Sequence, residues 1–295
     1  MTTVAMLGIG LVSPASARLP IDDAAVLRGD GAFEMTHLRP DGPWLLDAHL
    51  DRLAVSAARL CLPLPARADL AALVAQASEA WWRTEAGSAG EGAVRLVVTR
   101  GPEHGPGPGT AFATAGLVPE GNLAVRRDGV RLFAASLGMT ADFRPAAPWL
   151  LPGTKSLSYA VNLAAVRWAR TLGGDDVLWT SSDGLALEAS TSSLIWRAAD
   201  RLCSVPPAPT GILAGTTAAF LLDHADRVGL RACWEMVEPA RLHDADGVWL
   251  ASAVRGVVEV RALDGAPVAV DADTTAALRT LSGFPTSHLI TVVPR

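Results

Sequence analysis

Two stretches whose apolar residues recur at the helical period, 47–60 and 66–82, lie between runs that read as strands, and this order limits the possible folds more than any other feature. Leu50, Leu53, Ala54, Ala57 and Leu60 fall on one stripe, with Asp47 as the expected N-cap. Leu70, Leu73, Val74 and Ala77 form the second stripe. Upstream, residues 4–12 read as a strand, and glycines at 29 and 31 open another that runs to Leu38 and turns through 39–43. Downstream, residues 93–99 and 110–118 read as strands. They flank a loop, 100–109, rich in glycine and proline and carrying His104. Strands on both sides of a helix pair exclude an all-helical or all-strand domain.

At 295 residues the chain exceeds one ordinary core, so two domains are expected: 1–118, a linker at 119–122, and a larger domain over 123–295. In the second domain two short strands are predicted around Arg127-Asp128-Gly129. A helix follows over 155–172, with Leu157, Val161, Ala164, Ala165 and Trp168 on its buried side. Hairpins are expected over 177–188 and 194–205, then a helix entered at 213–217. Four further strands lead to a last helix over 273–281.

Net charge is −5, which disfavours nucleic acid and anionic membrane as partners, since both attract basic surfaces. A small molecule is the better expectation. The apolar run 6–17 lacks a basic segment before it and reads as a strand rather than a leader, and no segment has the roughly 20 apolar residues needed to span a bilayer. Cys61, Cys203 and Cys233 are far apart in sequence and without neighbouring ligands, so buried thiols in a reducing cytoplasm are expected, and no metal site.

Among the 25 basic residues only one is a lysine, Lys155, and the only tyrosine, Tyr159, follows it by one helical turn. A lysine can form a Schiff base or carry a proton near neutral pH, which an arginine cannot. Composition alone leaves a plain alternative, a single survivor of lysine-to-arginine replacement. Two other clusters carry similar double readings. Gly215-Thr216-Thr217 at a helix start is either an anion site or a simple N-cap. Glu188, followed by Ser190, Thr191, Ser192 and Ser193, is either a polar turn or part of a site. Together, amine, carboxylate, hydroxyls and helix start are what pyridoxal 5'-phosphate requires: an aldehyde partner, a partner for the ring nitrogen, and donors for the phosphate.

At this point the chain resembles the fold-type IV pyridoxal-phosphate enzymes, the class IV aminotransferase family. The matching segments are Gly29-Asp30-Gly31-Ala32-Phe33-Glu34, His49-Leu50-Asp51-Arg52-Leu53, Lys155-Ser156-Leu157, Glu188 with its hydroxyl run, and Leu213-Ala214-Gly215-Thr216-Thr217, all in the family's order. The resemblance implies an α+β fold of two domains: a small N-terminal α/β sandwich and a larger C-terminal domain with a pseudo-barrel of mixed strands, the cofactor lying between them. Lys155 is then the Schiff-base lysine and Glu188 the partner of the pyridine nitrogen. Arg52, Gly215, Thr216 and Thr217 are implied at the phosphate, with Ser192, and Leu213 beneath the ring. Tyr159 is a candidate donor to the cofactor's phenolic oxygen, or a core tyrosine. Phe33, Arg100 and His104 are candidates for the substrate. Ser193 and Arg28 stand where many members have asparagine and an aromatic residue.

Trp149-Leu150-Leu151 and the run from Lys155 to Asn162 look most like 4-amino-4-deoxychorismate lyases, which release pyruvate to give 4-aminobenzoate for folate biosynthesis. The alternative is an aminotransferase acting on D-amino or branched-chain amino acids. The family resemblance also implies a homodimer.

Overall fold

The computed structural model describes residues 2–104 and 107–285, so part of the loop expected over 100–109 lies outside the described residues. Contacts divide the chain into two compact units. The first gathers Met1–Glu120, Asp142–Ala164 and Pro207–Thr216, and the second Gly121–Ala141, Ala165–Pro206 and Thr217–Arg295. No single cut in the chain separates them. Lys155, expected in the C-terminal domain, belongs by its contacts to the first unit.

The first unit is built on a six-stranded antiparallel sheet ordered β2-β1-β6-β5-β3-β4. These strands are β1 (Thr3–Met6), β2 (Gly10–Val12), β3 (Gly31–Arg39), β4 (Gly42–Pro43), β5 (Gly92–Thr99) and β6 (Ala111–Leu117). The expected first strand is thus a hairpin broken by a turn at Gly8, and a short helix, α1 (Ala24–Arg28), precedes β3. Helices α2 (Leu46–Arg59) and α3 (Arg67–Trp82) lie over β3 and β6, and a short α4 (Glu85–Ala89) leads back to the sheet. Leu50, Leu53 and Ala57 of α2 and Leu70, Leu73, Val74, Ala77 and Trp81 of α3 close over Ala32, Leu38, Val94, Leu96 and Val98. Both expected helical stripes therefore form the core. The cap of α2 differs from expectation: Leu45, at φ 53°, takes the N-cap position, while Asp47 sits in the first turn and pairs with Arg67 at 2.7 Å.

Period-two geometry sorts β3 into two faces. Ala32 and Leu38 point into the helix-covered core with Glu34, which meets α2 side chains. Phe33 and Met35 take the opposite face, which Arg95 shares through the Met35–Arg95 register pair. Two short helices, α6 (Phe143–Ala146) and α8 (Pro207–Thr210), touch one another within this unit.

Among the described residues the second unit contains nine strands, β7 (Val130–Ser136), β8 (Asp176–Thr180), β9 (Ala186–Ala189), β10 (Ser193–Ala198), β11 (Arg201–Ser204), β12 (Arg231–Trp234), β13 (Gly247–Ser252), β14 (Gly256–Leu263) and β15 (Ala266–Pro267). Their order is β12-β11-β10-β13-β14-β7-β8-β9, and an extra pairing of Ser193 with Glu188 joins β9 back to β10. Six strands thereby form a closed ring of mixed direction, the pseudo-barrel that the resemblance implies. Ile195, Leu202, Trp249 and Val257 are buried against Leu221, on α9 (Thr216–Asp223), and Leu278, on α10 (Ala272–Leu281).

Two local expectations fail. Residues 120–128 form a helix, α5 (Glu120–Asp128), where a linker and a strand were expected, and Gly129, at φ 79°, ends this helix rather than turning a hairpin. The helix after the lysine begins at Ala160 (α7, Ala160–Thr171), and its apolar residues are not buried as the stripe predicts: Val161 is 66% exposed and Trp168 44%, with only Ala169 buried.

Candidate functional site

Lys155 lies in an extended stretch that crosses the end of β3. Phe33 donates its N–H to the Lys155 carbonyl (3.1 Å), and Leu157 donates to the Gly31 carbonyl (2.9 Å). The Lys155 N–H in turn donates to Ser56 Oγ of α2 at 3.1 Å. This crossing explains the Gly-Asp-Gly motif. A Cβ on Gly31 would stand 2.7 Å from Leu157 Cδ1, and one on Gly29, at φ +71°, would stand 2.6 Å from Ser158 Oγ. So secured, Lys155 Nζ donates to Tyr159 Oη at 2.9 Å and lies 4.5 Å from the centre of the Phe33 ring. Tyr159 and Phe33 meet edge to face at 5.3 Å. Tyr159 is therefore beside the amine and not a remote core residue.

On the other face of β3, Glu34 is 3% exposed and receives two bonds from Arg52, Nε to Oε1 at 2.7 Å and Nη2 to Oε2 at 2.6 Å. His49 Nδ1 is 2.7 Å from Oε2 of the same carboxylate. Burial would raise the Glu34 pKa, but the charge and hydrogen bonds of Arg52, with the hydrogen bond of His49, hold it at about 2. Burial pushes His49 the opposite way, below its ordinary range, aided by the charges of Arg52 and Lys155 against the pull of Glu34. The neutral ring donates Nδ1–H to Glu34 and leaves Nε2 to accept from the Thr216 hydroxyl at 3.4 Å.

Arg52 also donates Nη1 to the carbonyl of Ala214 at 3.0 Å, which sets it against the 213–216 segment. Three of the guanidinium's N–H groups go to Glu34 and Ala214, Nη2 also lies 3.4 Å from His49 Nδ1, and Nη1 keeps an N–H for an anion. Gly215 and Thr216 are half-buried at the start of α9, where N–H groups lack helical acceptors. The next residue, Thr217, is 1% exposed, and its Oγ1 has no hydrogen-bond partner among the described residues. A buried hydroxyl left unpaired in the first turn of a helix fits a phosphate.

In the second unit Glu188 is half-buried on β9, and Ser192 is buried, its Oγ accepting from Arg255 Nη2 at 3.1 Å. Arg255 also bonds Thr191 Oγ1 and approaches Asp176 at 3.3 Å, while Ser190 donates to Asp176 at 2.5 Å. The hydroxyl run is thus held by an arginine that the sequence reading did not single out.

Arg100, expected near substrate, has its donors engaged by Asp30, by the Leu60 carbonyl at 2.6 Å and by the Cys61 carbonyl at 3.1 Å. It braces the end of α2 and is not brought to Lys155. His104 is exposed in its loop. The basic residue on the lysine's side of the sheet is instead Arg95, whose guanidinium carbon lies 4.8 Å from the Phe33 ring centre. Its one hydrogen bond is to Met35 Sδ at 3.6 Å, and it pairs with no carboxylate among the described residues. Burial lowers its pKa, with Tyr159 acting in the other direction. The readable signal for Arg95 was a single charge within an otherwise apolar strand.

Residues 31–263 match the model of the amino-transferase class IV family. The chain belongs to this family. It is 36% identical over 261 residues, 86% of this chain and 89% of the other, to a bifunctional aminodeoxychorismate lyase / D-amino acid transaminase of Mycobacterium tuberculosis. Among solved structures it is similar to the PLP-bound form of a hypothetical aminotransferase from M. tuberculosis (TM-score 0.90, 35% identity, 96% of this chain and 98% of that one). It is equally similar in extent to a fold IV transaminase from Curtobacterium pusillum (TM-score 0.88, 35% identity, 96% and 97% covered). The matched residues include Gly31, Arg52 and Lys155.

The Glu34 cluster makes a measurable prediction. Its pKa falls from 4.5 to about 2 on folding, which corresponds to about 3 kcal/mol. Because the folded value is depressed, that stabilisation is complete above pH 4.5 and is lost as pH falls through about 2. Glu34→Gln is expected to be less stable at neutral pH by about 3 kcal/mol in denaturant titrations. The gap from the parent protein should narrow as the pH is lowered from 4.5, and a pH-independent gap would refute this account.

Proposed function

We propose that this class IV enzyme uses pyridoxal 5'-phosphate to act as a 4-amino-4-deoxychorismate lyase, converting its substrate to 4-aminobenzoate and pyruvate. The observation that carries the reading is the meeting of one amine and one unpaired guanidinium against the same ring: Lys155 Nζ and Arg95 both lie over Phe33, with Tyr159 bonded to the amine. When bound, the cofactor supplies an aldehyde for an amine and a ring that withdraws electrons from the adjacent carbon.

In this reading Lys155 would hold the cofactor's aldehyde, and its Nζ, when free, would take the proton from substrate C4. Tyr159, accepting from Nζ, fixes where the lysine waits. Arg95 binds the substrate's ring carboxylate. By the family resemblance Arg52, Gly215, Thr216, Thr217 and Ser192 would hold the phosphate, Leu213 would pack on the ring, and Glu188 would pair with the ring nitrogen. Loss of the C4 proton with departure of the enolpyruvyl group, which regains a proton as pyruvate, balances without an oxo acid or oxidant. Aromatisation drives the step.

The M. tuberculosis relative carries both activities in its name, so it also supports a second reading, transamination of D-amino acids, and branched-chain substrates belong to the same alternative. Aminodeoxychorismate supplied without any 2-oxo acid separates the two. Equal release of pyruvate and 4-aminobenzoate is expected, whereas turnover that requires D-alanine or leucine with an oxo acid would replace the lyase by the transaminase. Lys155→Ala should lose activity by several orders of magnitude while remaining folded; a variant as active as the parent would remove the lysine from the reaction.

Arg95→Met should raise KM for the carboxylate substrate by about 10- to 100-fold, equivalent to a charge-assisted hydrogen bond of about 1.5–3 kcal/mol, with cofactor absorbance unchanged. An unaltered KM would assign the carboxylate to another group. The exposed Val161 and Trp168, which share one face of α7, support a homodimer, since exposed apolar faces of this kind mark subunit contacts. Light scattering should give twice the 30.7 kDa chain mass, and a monomer at micromolar concentration would exclude it.

A further inference from the structure

The spacing of the cysteines gives no hint of a metal site, because the relevant proximity is made by parallel strand pairing in the second unit. β11 and β12 run in register, Arg201 beside Arg231 and Cys203 beside Cys233, and the pairing continues as Glu235 donates its N–H to the Ser204 carbonyl at 3.1 Å. Register partners point to one face, and residues two apart along a strand share it. Arg201, Cys203, Cys233 and Glu235 therefore stand on the same face.

One ligand atom from each of Cys203, Cys233 and Glu235 lies within 4.8 Å of the other two. In a tetrahedral zinc site, with Zn–S near 2.3 Å and Zn–O near 2.1 Å, neighbouring ligand atoms are roughly 3.5–4 Å apart. Side-chain rotation alone can close that difference while the backbone register stays fixed. Cys203 is buried and forms the floor, while Cys233 and Glu235 are half-buried at the rim. β12 is the edge strand of its sheet, so an ion can enter from solvent. Arg201 Nη1 now fills the role of counter-charge, bonding Glu235 Oε2 at 2.8 Å and Cys233 Sγ at 3.3 Å. With its side chain 37% exposed, it can turn outward when a cation takes its place.

We propose that Cys203, Cys233 and Glu235 bind one thiophilic divalent cation of the Zn2+ or Cd2+ class, with water as the fourth ligand. Two sulfurs and one oxygen select such ions over Mg2+ or Ca2+, which prefer all-oxygen sites. The site fastens edge strand β12 to β11, and it does not depend on the reaction assigned above.

The test is a titration of the reduced, chelator-treated holoenzyme with Cd2+, following the ultraviolet cadmium–thiolate absorption and counting bound ions by mass spectrometry. One ion per chain is expected. Cys203→Ser and Cys233→Ser should abolish the absorption, Cys61→Ser should retain it, and Glu235→Gln should weaken binding by about tenfold. Zn2+ should also raise the thermal midpoint of the parent protein but not that of Cys233→Ser, a change at the sheet edge that spares the core. No thiolate absorption with excess Cd2+, or absorption that survives both Cys203→Ser and Cys233→Ser, would overturn the proposal.

Discussion

A carboxylate in the interior is tolerated only when cations and donors meet it, and Glu34 is the group around which the first unit is arranged. Arg52 and His49, three residues apart on α2, converge on it and so fix the rotation of that helix over β3. The same helix supplies Ser56 to the Lys155 backbone and passes Arg52 on to the Ala214 carbonyl. Phe33, one residue before Glu34, faces the other way and contacts the amine. Sliding β3 by one residue would exchange an aromatic ring and an ion, so the cluster also defines the register of the strand.

Much of this was legible because it is local. The stripes of α2 and α3, the strands β3, β5 and β6, and the last helix follow from period and turn residues within short windows. Lys155 was legible for a different reason: a unique amine stands out in a chain whose other cations are all arginines. Arg52 was found through its motif, but its pairing with Glu34 was not, since two residues from different elements meet only once the helix lies on the sheet.

The errors have physical causes too. Gly129 looks the same to a reader whether it ends a helix or turns a hairpin, because both need a positive φ. The stripe on α7 was correctly seen as apolar, yet periodicity reports which face avoids water and not what covers it. Arg100, expected near substrate from its place in a loop at a strand end, is engaged by Asp30 and two carbonyls, and strand alternation sets Arg95 on the lysine's side. Cys203 and Cys233 became neighbours through a parallel pairing, the kind of contact furthest from any spacing rule.

The six-strand ring of the second unit is fastened where β9 meets β10, and the ladder at that point is a single residue pair, Glu188 with Ser193. Every other junction in the ring has at least two paired positions. Glu188 thus sits on the clasp of the barrel, and the side chains that keep the clasp shut are those of Arg255 and Asp176, which grip the hydroxyls of the intervening turn. The position of this carboxylate and the closure of the barrel are consequently one mechanical property: whatever loosens the Arg255 grip opens a seam and moves Glu188 in the same motion.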